Sequence, residues 1–594
     1  MKHSILKISS YFAISAFLLV SCSSTQKQQK TTDIPLSSVI VSDFAKPHRQ
    51  DFVMTGKKYA LATQGILTTK AATDVLDKGG NLIDAFVAAS FCISVERPHS
   101  TGIGGGGFLV FHQAGSKENV VIDFRERAPM KSFRDIYLDK QGNYLSDLSK
   151  DGALSVGVPG LVKGLWEIHK KYGKMQWADV MAPSIKMADE GFFVYPDLEK
   201  ALKERQNVLA KFPDSKKIFI KDDGTTYKVG DVLVQTDLAN TLRAIAKNGE
   251  NEFYQGETAN KIVKFLKNTG GIVTASDLKK YKTIARAPVE SKFMNYKIVS
   301  MPPPSSGGIH VVQFLKMLEK ENWTPMDMNT SKVIHYQASA FQMAFADRAQ
   351  YLGDPDFVKV PMARLISETY LNQRKKEITL DKARAASEVR FGNVDQKYES
   401  TETTHMSFLD KEGNAISSTQ TINGWMGSGA VATGTGIVLN NEMDDFSSKP
   451  GAANLYGAVG SDANAIAPFK TPLSSMSPTI VFDETGRPVM AVGAPGGTRI
   501  ISCTALTIFN HLFFKQSLES SVKNIRVHHQ WQPDTLFIEQ PGPPPKELEK
   551  LKTMGYKIEL GGIPCRVMSA SLDTGNSEFT AVADPRDIGT ASAK

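Results

Sequence analysis

Small and apolar residues recur at helical spacing through LTTKAATDVLDKGGNLIDAFVAASFCISV, from Leu67. Gly79 and Gly80 divide that run into two predicted helices. GLVKGLWEIHKKYG predicts a third, with Leu161, Leu165, Ile168 and Tyr172 on one face and Gly173 as its stop. DVMAPSIKMADEG predicts a fourth, ended by Gly191. Residues 195–290 are polar and lysine-rich and read as mixed helix and turn. KVIHYQASAFQMAFADRAQYLGD predicts a long amphipathic helix ending near Gly353. The pattern changes after about residue 400. HMSFLD, AISSTQTI, GIVLN, TIVFD and VMAVGAPG are short strand-like runs parted by Gly, Asn or Asp, with helix returning from GTRIISCTALTIF onward. The first half is thus predicted to be helix-rich and the second strand-rich. Between them FGNVDQKYESTE has no apolar periodicity and reads as an exposed loop, where a cut is tolerated.

The first residues follow a different pattern. Lys2 and Lys7 precede the apolar run YFAISAFLLV, which is too short to span a bilayer. The run ends in LVSC, and Cys22 stands where a lipoprotein leader is cut and lipidated; an ordinary secretory leader is the plainer alternative. The polar stretch SSTQKQQKTTD then reads as a tether. The expected organisation is a leader over 1–21, a tether over 22–45, a helix-rich part over 46–402 and a strand-rich part over 403–594. The expected location is outside the cytoplasm, lipid-anchored, on the periplasmic or outer-membrane side of a diderm bacterium.

The 594 residues are 41% hydrophobic and 22% charged, as in ordinary globular proteins. Loss of Lys2 and Lys7 with the leader takes the net charge from +8 to +6. The excess is spread out, so no nucleic-acid partner is inferred, and no membrane contact beyond the lipid. Cys92, Cys503 and Cys565 then remain, the first two in the apolar runs FVAASFCISV and RIISCTALTIF. Cys92 and Cys503 are expected to be buried small hydrophobes, and the odd count argues against a disulfide scaffold.

Several motifs lead nowhere. GIGGGGF contains GxGxxG, but it runs into the strand-like FLVFH, whereas a dinucleotide site needs the glycines to open a helix. SSVK matches SxxK without its companion motifs. His528 and His529 lack further ligands at metal spacing. No metal or organic cofactor is implied.

One constellation holds together. IDFRERAP, TETTHMSFLD, NNEMDDFS, PLSSMSPTI and GAPGGTRII occur in this order, accompanied by GIGGGGF, GVPG, MPPPSSGG, ADRAQYLGDPDF, HHQWQPD and ADPRDIGTA. Together they resemble the γ-glutamyltransferase family over nearly the whole mature chain. The resemblance implies an α+β fold: the four-layer αββα sandwich of N-terminal nucleophile hydrolases, built jointly from two subunits that the precursor makes by cutting itself.

It also answers a local question: Thr403 could merely begin a strand, or it could be the new first residue after a cut. A threonine hydroxyl needs a base to act as a nucleophile. An internal threonine has none built in, whereas a terminal one has its own α-amine, of unperturbed pKa about 7.7–8.0. A cut between Glu402 and Thr403 would create nucleophile and base together. By the resemblance Thr421 supports Thr403, and Gly496 and Gly497 supply the oxyanion donors. Arg125 would take an α-carboxylate by its planar fork, completed by Ser474 and Ser475. Asn423, Glu442 and Asp445 would accept from an α-ammonium. Tyr456 lies in a stretch resembling the family's lid. The residues after Asn423 (Gly424, Trp425 and Met426) depart from the family and put acceptor preference in doubt.

The expected activity is hydrolysis or transfer of the γ-glutamyl group of glutathione and related compounds through a Thr403 ester, to water, amino acids or dipeptides. Two alternatives stay open: a glutaryl or cephalosporin acylase of the same fold, and an unprocessed, non-catalytic surface lipoprotein.

Overall fold

The computed structural model describes residues 51–390, 403–449 and 460–594. Cys22, Glu402, Tyr456 and the segment 391–402, expected to be a loop, lie outside the described residues. Two seven-stranded antiparallel sheets form the centre. One runs, edge to edge, Val53–Gly56, Glu578–Ala583, Met568–Asp573, Pro488–Gly493, Thr479–Phe482, Tyr296–Ser300 and Val289–Phe293. The other runs Thr590–Ala593, Tyr59–Thr63, Thr404–Asp410, Ala415–Thr421, Gly106–Gln113, Glu118–Asp123 and Ile284–Ala285.

Side-chain alternation shows how the sheets stack. Ala60, Ala62, Phe108 and Val110 meet Ile480, Ala491, Ala570 and Ala581 between the two sheets. Their strand neighbours Tyr59, Leu61, Leu109 and Phe111 point the other way, into a helical layer. That layer contains the Ile66–Asp77 and Leu82–Glu96 helices, placed as the glycine-parted pattern predicts. On the far side the Gly307–Leu318 and Arg499–Leu512 helices cover the first sheet. The layers are therefore helix, sheet, sheet, helix, as the resemblance implies.

Helix ends follow local chemistry. Asn81 and Asp84 form a capping box that starts the second helix. The first begins at Gly65 without a side-chain cap, and the buried Glu96 carboxylate accepts from the N–H groups of Leu67 and Thr68 instead. Gly191 ends its helix at φ +80°, whereas Gly173 ends its own in extended backbone.

Three expectations need correction. GIVLN is no strand: Val438 and Leu439 make only isolated bridges, to Val431 and Gly104. The left-handed Gly434 before it and Gly436 at its start bend the chain out of any ladder. The Ser331–Tyr351 helix is not amphipathic but buried along nearly its whole length. It runs between the Gly307–Leu318 helix and the Pro545–Thr553 helix, so both of its faces are inside. Finally, Cys503 and Cys565 form a disulfide, with Cα atoms 6.7 Å apart. Among the described residues, Cys92 alone is the free buried thiol expected. Burial in apolar sequence hid the pairing, because the two cysteines approach only through tertiary packing.

Candidate active site

The site grows from one β-hairpin. Thr404–Asp410 pairs with Ala415–Thr421 from Leu409↔Ala415 to Thr404↔Gln420. One further step in that register sets Thr403 opposite Thr421, at the open end. The hairpin is buried on both faces, so its polar side chains must be satisfied inside. Ser417 Oγ donates to Val492 O at 3.0 Å and Ser418 Oγ to Phe108 O at 2.9 Å. His405 is bonded at both ring nitrogens, to Thr419 Oγ1 at 2.8 Å and Ser407 Oγ at 3.0 Å. Burial lowers its pKa to about 3, so it is a neutral packing group beneath Gly493 and no base for Thr403.

Beyond Thr421 the chain turns sharply. The Thr421 hydroxyl accepts from the Asn423 N–H at 2.8 Å, and Asn423 adopts φ +71°. Asn423 Nδ2 donates to Asn441 O at 3.0 Å, and Asn441 Oδ1 accepts from Gly424 N at 2.8 Å. These bonds hold the turn against the Glu442–Asp445 3₁₀ turn, which delivers both acids to the cavity.

Arg125 enters from the loop after Glu118–Asp123. Its N–H donates to Asp123 Oδ1, and its Nε donates to Pro472 O at 3.0 Å. Its Nη2 lies 2.7 Å from Glu442 Oε1 and 2.5 Å from Asp445 Oδ2. The two acids, which would repel each other unpaired, thus share one guanidinium. Burial pulls the Arg125 pKa down, but Glu442 and Asp445 outweigh it and hold the group above its ordinary value. Burial likewise raises Glu442 and Asp445, against the opposing pull of Arg125. The buried Glu126 carboxyl interacts with Glu442 and is raised to about 7, by burial first and against Arg125.

Ser474 and Ser475 arrive on the segment that bridges Ser305. Ser474 Oγ accepts from Met476 N at 3.1 Å. Gly496 and Gly497 follow the Pro488–Gly493 strand in left-handed backbone, φ +129° and +56°. A Cβ at Gly496 would stand 2.6 Å from Pro564 O and 2.9 Å from Cys565 Cβ, so no other residue fits.

One half-open cavity, with about 320 Å³ of empty space that is partly open to solvent, brings these groups together. Thr403, Thr421, Arg125, Asn423, Glu442, Asp445, Ser474, Ser475 and Gly497 all line it; Gly496 is adjacent and does not. Thr403 is only 4% exposed. Sequence reasoning missed Arg348 and Thr498, which also line the cavity, and Glu126 behind it. Arg348 lay within a quoted motif, but on a helix read as amphipathic its charge passed for part of a solvated face. His528 bonds Ser502 Oγ at 2.9 Å and Gln530 Oε1 at 2.9 Å, in line with a packing role.

The family model for gamma-glutamyltranspeptidase matches residues 68–594. The glutathione hydrolase proenzyme of Escherichia coli K12 is 40% identical over 577 residues, 97% of each chain. That of Pseudomonas aeruginosa is 41% identical over 534 residues, covering 89% of this chain and 93% of the relative. Among solved structures, the cephalosporin acylase of Bacillus halodurans superposes with a TM-score of 0.79 at 26% identity, over 92% of this chain and 98% of that one. The gamma-glutamyltranspeptidase of Helicobacter pylori gives 0.54 at 41% identity, over 56% of this chain and 95% of that one.

Proposed function

This chain belongs to the gamma-glutamyltranspeptidase family, and from that premise we propose that it is a self-processed γ-glutamyltransferase and glutathione hydrolase. The observation that carries the reading is the half-open cavity in which Thr403 and Thr421 meet the Arg125 and Arg348 guanidinium groups, the Ser474 and Ser475 hydroxyls and two carboxylates. A γ-glutamyl group carries one carboxylate, one ammonium and a distal amide, and the cavity offers a complement to each.

In the precursor, the Thr403 hydroxyl attacks the carbonyl of Glu402, and water resolves the resulting ester. The freed α-amine then serves as base to the Thr403 hydroxyl. That hydroxyl attacks the donor's γ-carbonyl, with the Gly496 and Gly497 N–H groups directed at the oxyanion. The amine leaves, an acyl-Thr403 ester remains, and water or an acceptor amine removes the acyl group. Arg125, Ser474 and Ser475 hold the carboxylate; Asn423, Glu442 and Asp445 hold the ammonium; Tyr456 covers them. Amino acids and dipeptides are the acceptors. Export follows from the leader, and anchoring follows from a lipid on Cys22. No described helix is long and apolar enough to cross a membrane.

The acylase relationship has structural support in the Bacillus halodurans neighbour. A glutaryl donor has no ammonium, however, and would leave the acceptor end at Asn423, Glu442 and Asp445 without a second cation to take. The test is intact mass and N-terminal sequencing of the exported form beside Thr403→Ala. Two chains are expected, the smaller beginning at Thr403, with the variant uncut and its activity down by at least about 10³-fold. γ-Glutamyl and glutaryl anilides then separate the two donors. An uncut wild type would refute the proposal, and preference for glutaryl would shift it to the acylase.

A further inference from the structure

Two motifs, MPPPSSGG and ADRAQYLGDPDF, have no role in the reading so far, and they meet at one side chain. Arg348 lies near the end of the Ser331–Tyr351 helix, and its guanidinium lines the Thr403 cavity. It is only 5% exposed. Its Nε donates to Ser306 Oγ at 3.1 Å, and its Nη2 donates to Ser475 Oγ at 3.4 Å. Among the described residues, no carboxylate forms an ion pair with it. Asp445 acts on it only at longer range and is already bonded to Arg125.

A buried guanidinium held by neutral hydroxyls alone is costly until an anion completes it. The deficit shows in its pKa, lowered to about 10: burial lowers it most, Asp445 pulls it back, and Arg125 lowers it further. Arg125 differs, since its Nη2 is occupied by two acids. Ser475 Oγ spends a lone pair on Arg348, so its own proton is left to donate into the cavity.

We propose that Arg348 is a second cation of the carboxylate subsite, taking the donor's α-carboxylate together with Ser475 while Ser306 fixes its angle. The inference rests on the γ-glutamyl reading above. It explains why an arginine stands at a buried helix position, and why a serine from the MPPPSSGG turn faces it. It also divides the work: Arg125 keeps the acids in place as well as facing the donor, and Arg348 adds the charge they leave short.

The experiment uses mature Arg348→Met beside wild type on two anilides. One is γ-glutamyl-p-nitroanilide. The other is its α-carboxamide analogue, which keeps the ammonium and the scissile amide but not the negative charge. For the first substrate kcat/KM is expected to fall on the order of 10- to 100-fold, mainly through KM. For the second it should change little, and Arg348→Lys should recover part of the loss. Equal losses on both substrates would mark a structural role and overturn the proposal, as would no loss on the first. If Arg348→Met is not processed, Ser306→Ala keeps the charge and frees its angle; the same selective loss supports the proposal, and a uniform or absent effect refutes it. A wild type that is processed but inactive on the γ-glutamyl anilide would overturn the γ-glutamyl reading itself, and this inference with it.

Discussion

At the residue scale, the site depends on positions that only one amino acid can fill. Gly496 is the clearest, with φ +129° and Pro564 O where a Cβ would go. On the proposed oxyanion role, Gly496→Ala is expected to lower kcat by about 10²–10³-fold with a smaller change in KM, because a misaimed donor would cost transition-state binding rather than ground-state binding. Steady-state kinetics on a γ-glutamyl anilide would check this, with mass analysis to confirm that the variant is still cut. Most of the cavity-lining candidates were legible only through short motifs that the family resemblance ties together, each weak alone. Arg125 in DFRERAP and the acids of NNEMDD are of this kind. Their mutual pairing was not legible, since it requires three segments to meet. Arg348 was hidden for a different reason. A charge in a helix is ordinarily a solvated face, and only the packing of both faces makes it a buried cation.

At the element scale, periodicity located the glycine-ended helices and the hairpin strands well, because burial of one helical face or of both strand faces leaves a regular trace. It failed where a third partner decides. The Ser331–Tyr351 helix looked two-faced until a second helical neighbour covered its polar side, and GIVLN has strand composition but no partner to complete a ladder. The Cys503–Cys565 bond is likewise a tertiary fact. It fastens the Arg499–Leu512 helix to the loop against which Gly496 rests. Closing a loop over a sequence separation of 62 residues, it should contribute roughly 2–4 kcal/mol. The double variant Cys503→Ala/Cys565→Ala is therefore expected to melt several degrees lower and to lose kcat more than KM. Thermal melts and kinetics on non-reduced protein would show it; unchanged kcat would mean that the loop holds Gly496 unaided.

At the scale of the whole molecule, both sheets draw strands from either side of residue 403. Thr404–Asp410 lies between Tyr59–Thr63 and Ala415–Thr421, and Val53–Gly56 pairs with Glu578–Ala583. No local pattern announces such distant pairings, so the elements were readable while their order was not; the four layers came from the family resemblance. A cut before Thr403 would sever the chain without separating its sheets. The two pieces are expected to elute together under native conditions and to part only in denaturant, and residues 403–594 expressed alone should fail to fold. Separate elution of the two pieces under native conditions, or a folded 403–594 piece expressed alone, would contradict this. The strand after Thr403 has a further consequence. A fresh chain end ordinarily frays and sweeps a large volume. Here the residue after Thr403 is already paired in the interior of a sheet, so the new amine would be held nearly motionless beside its own hydroxyl. Scission would then deliver a reagent at high effective concentration, with the loss of freedom met during folding rather than at each turnover.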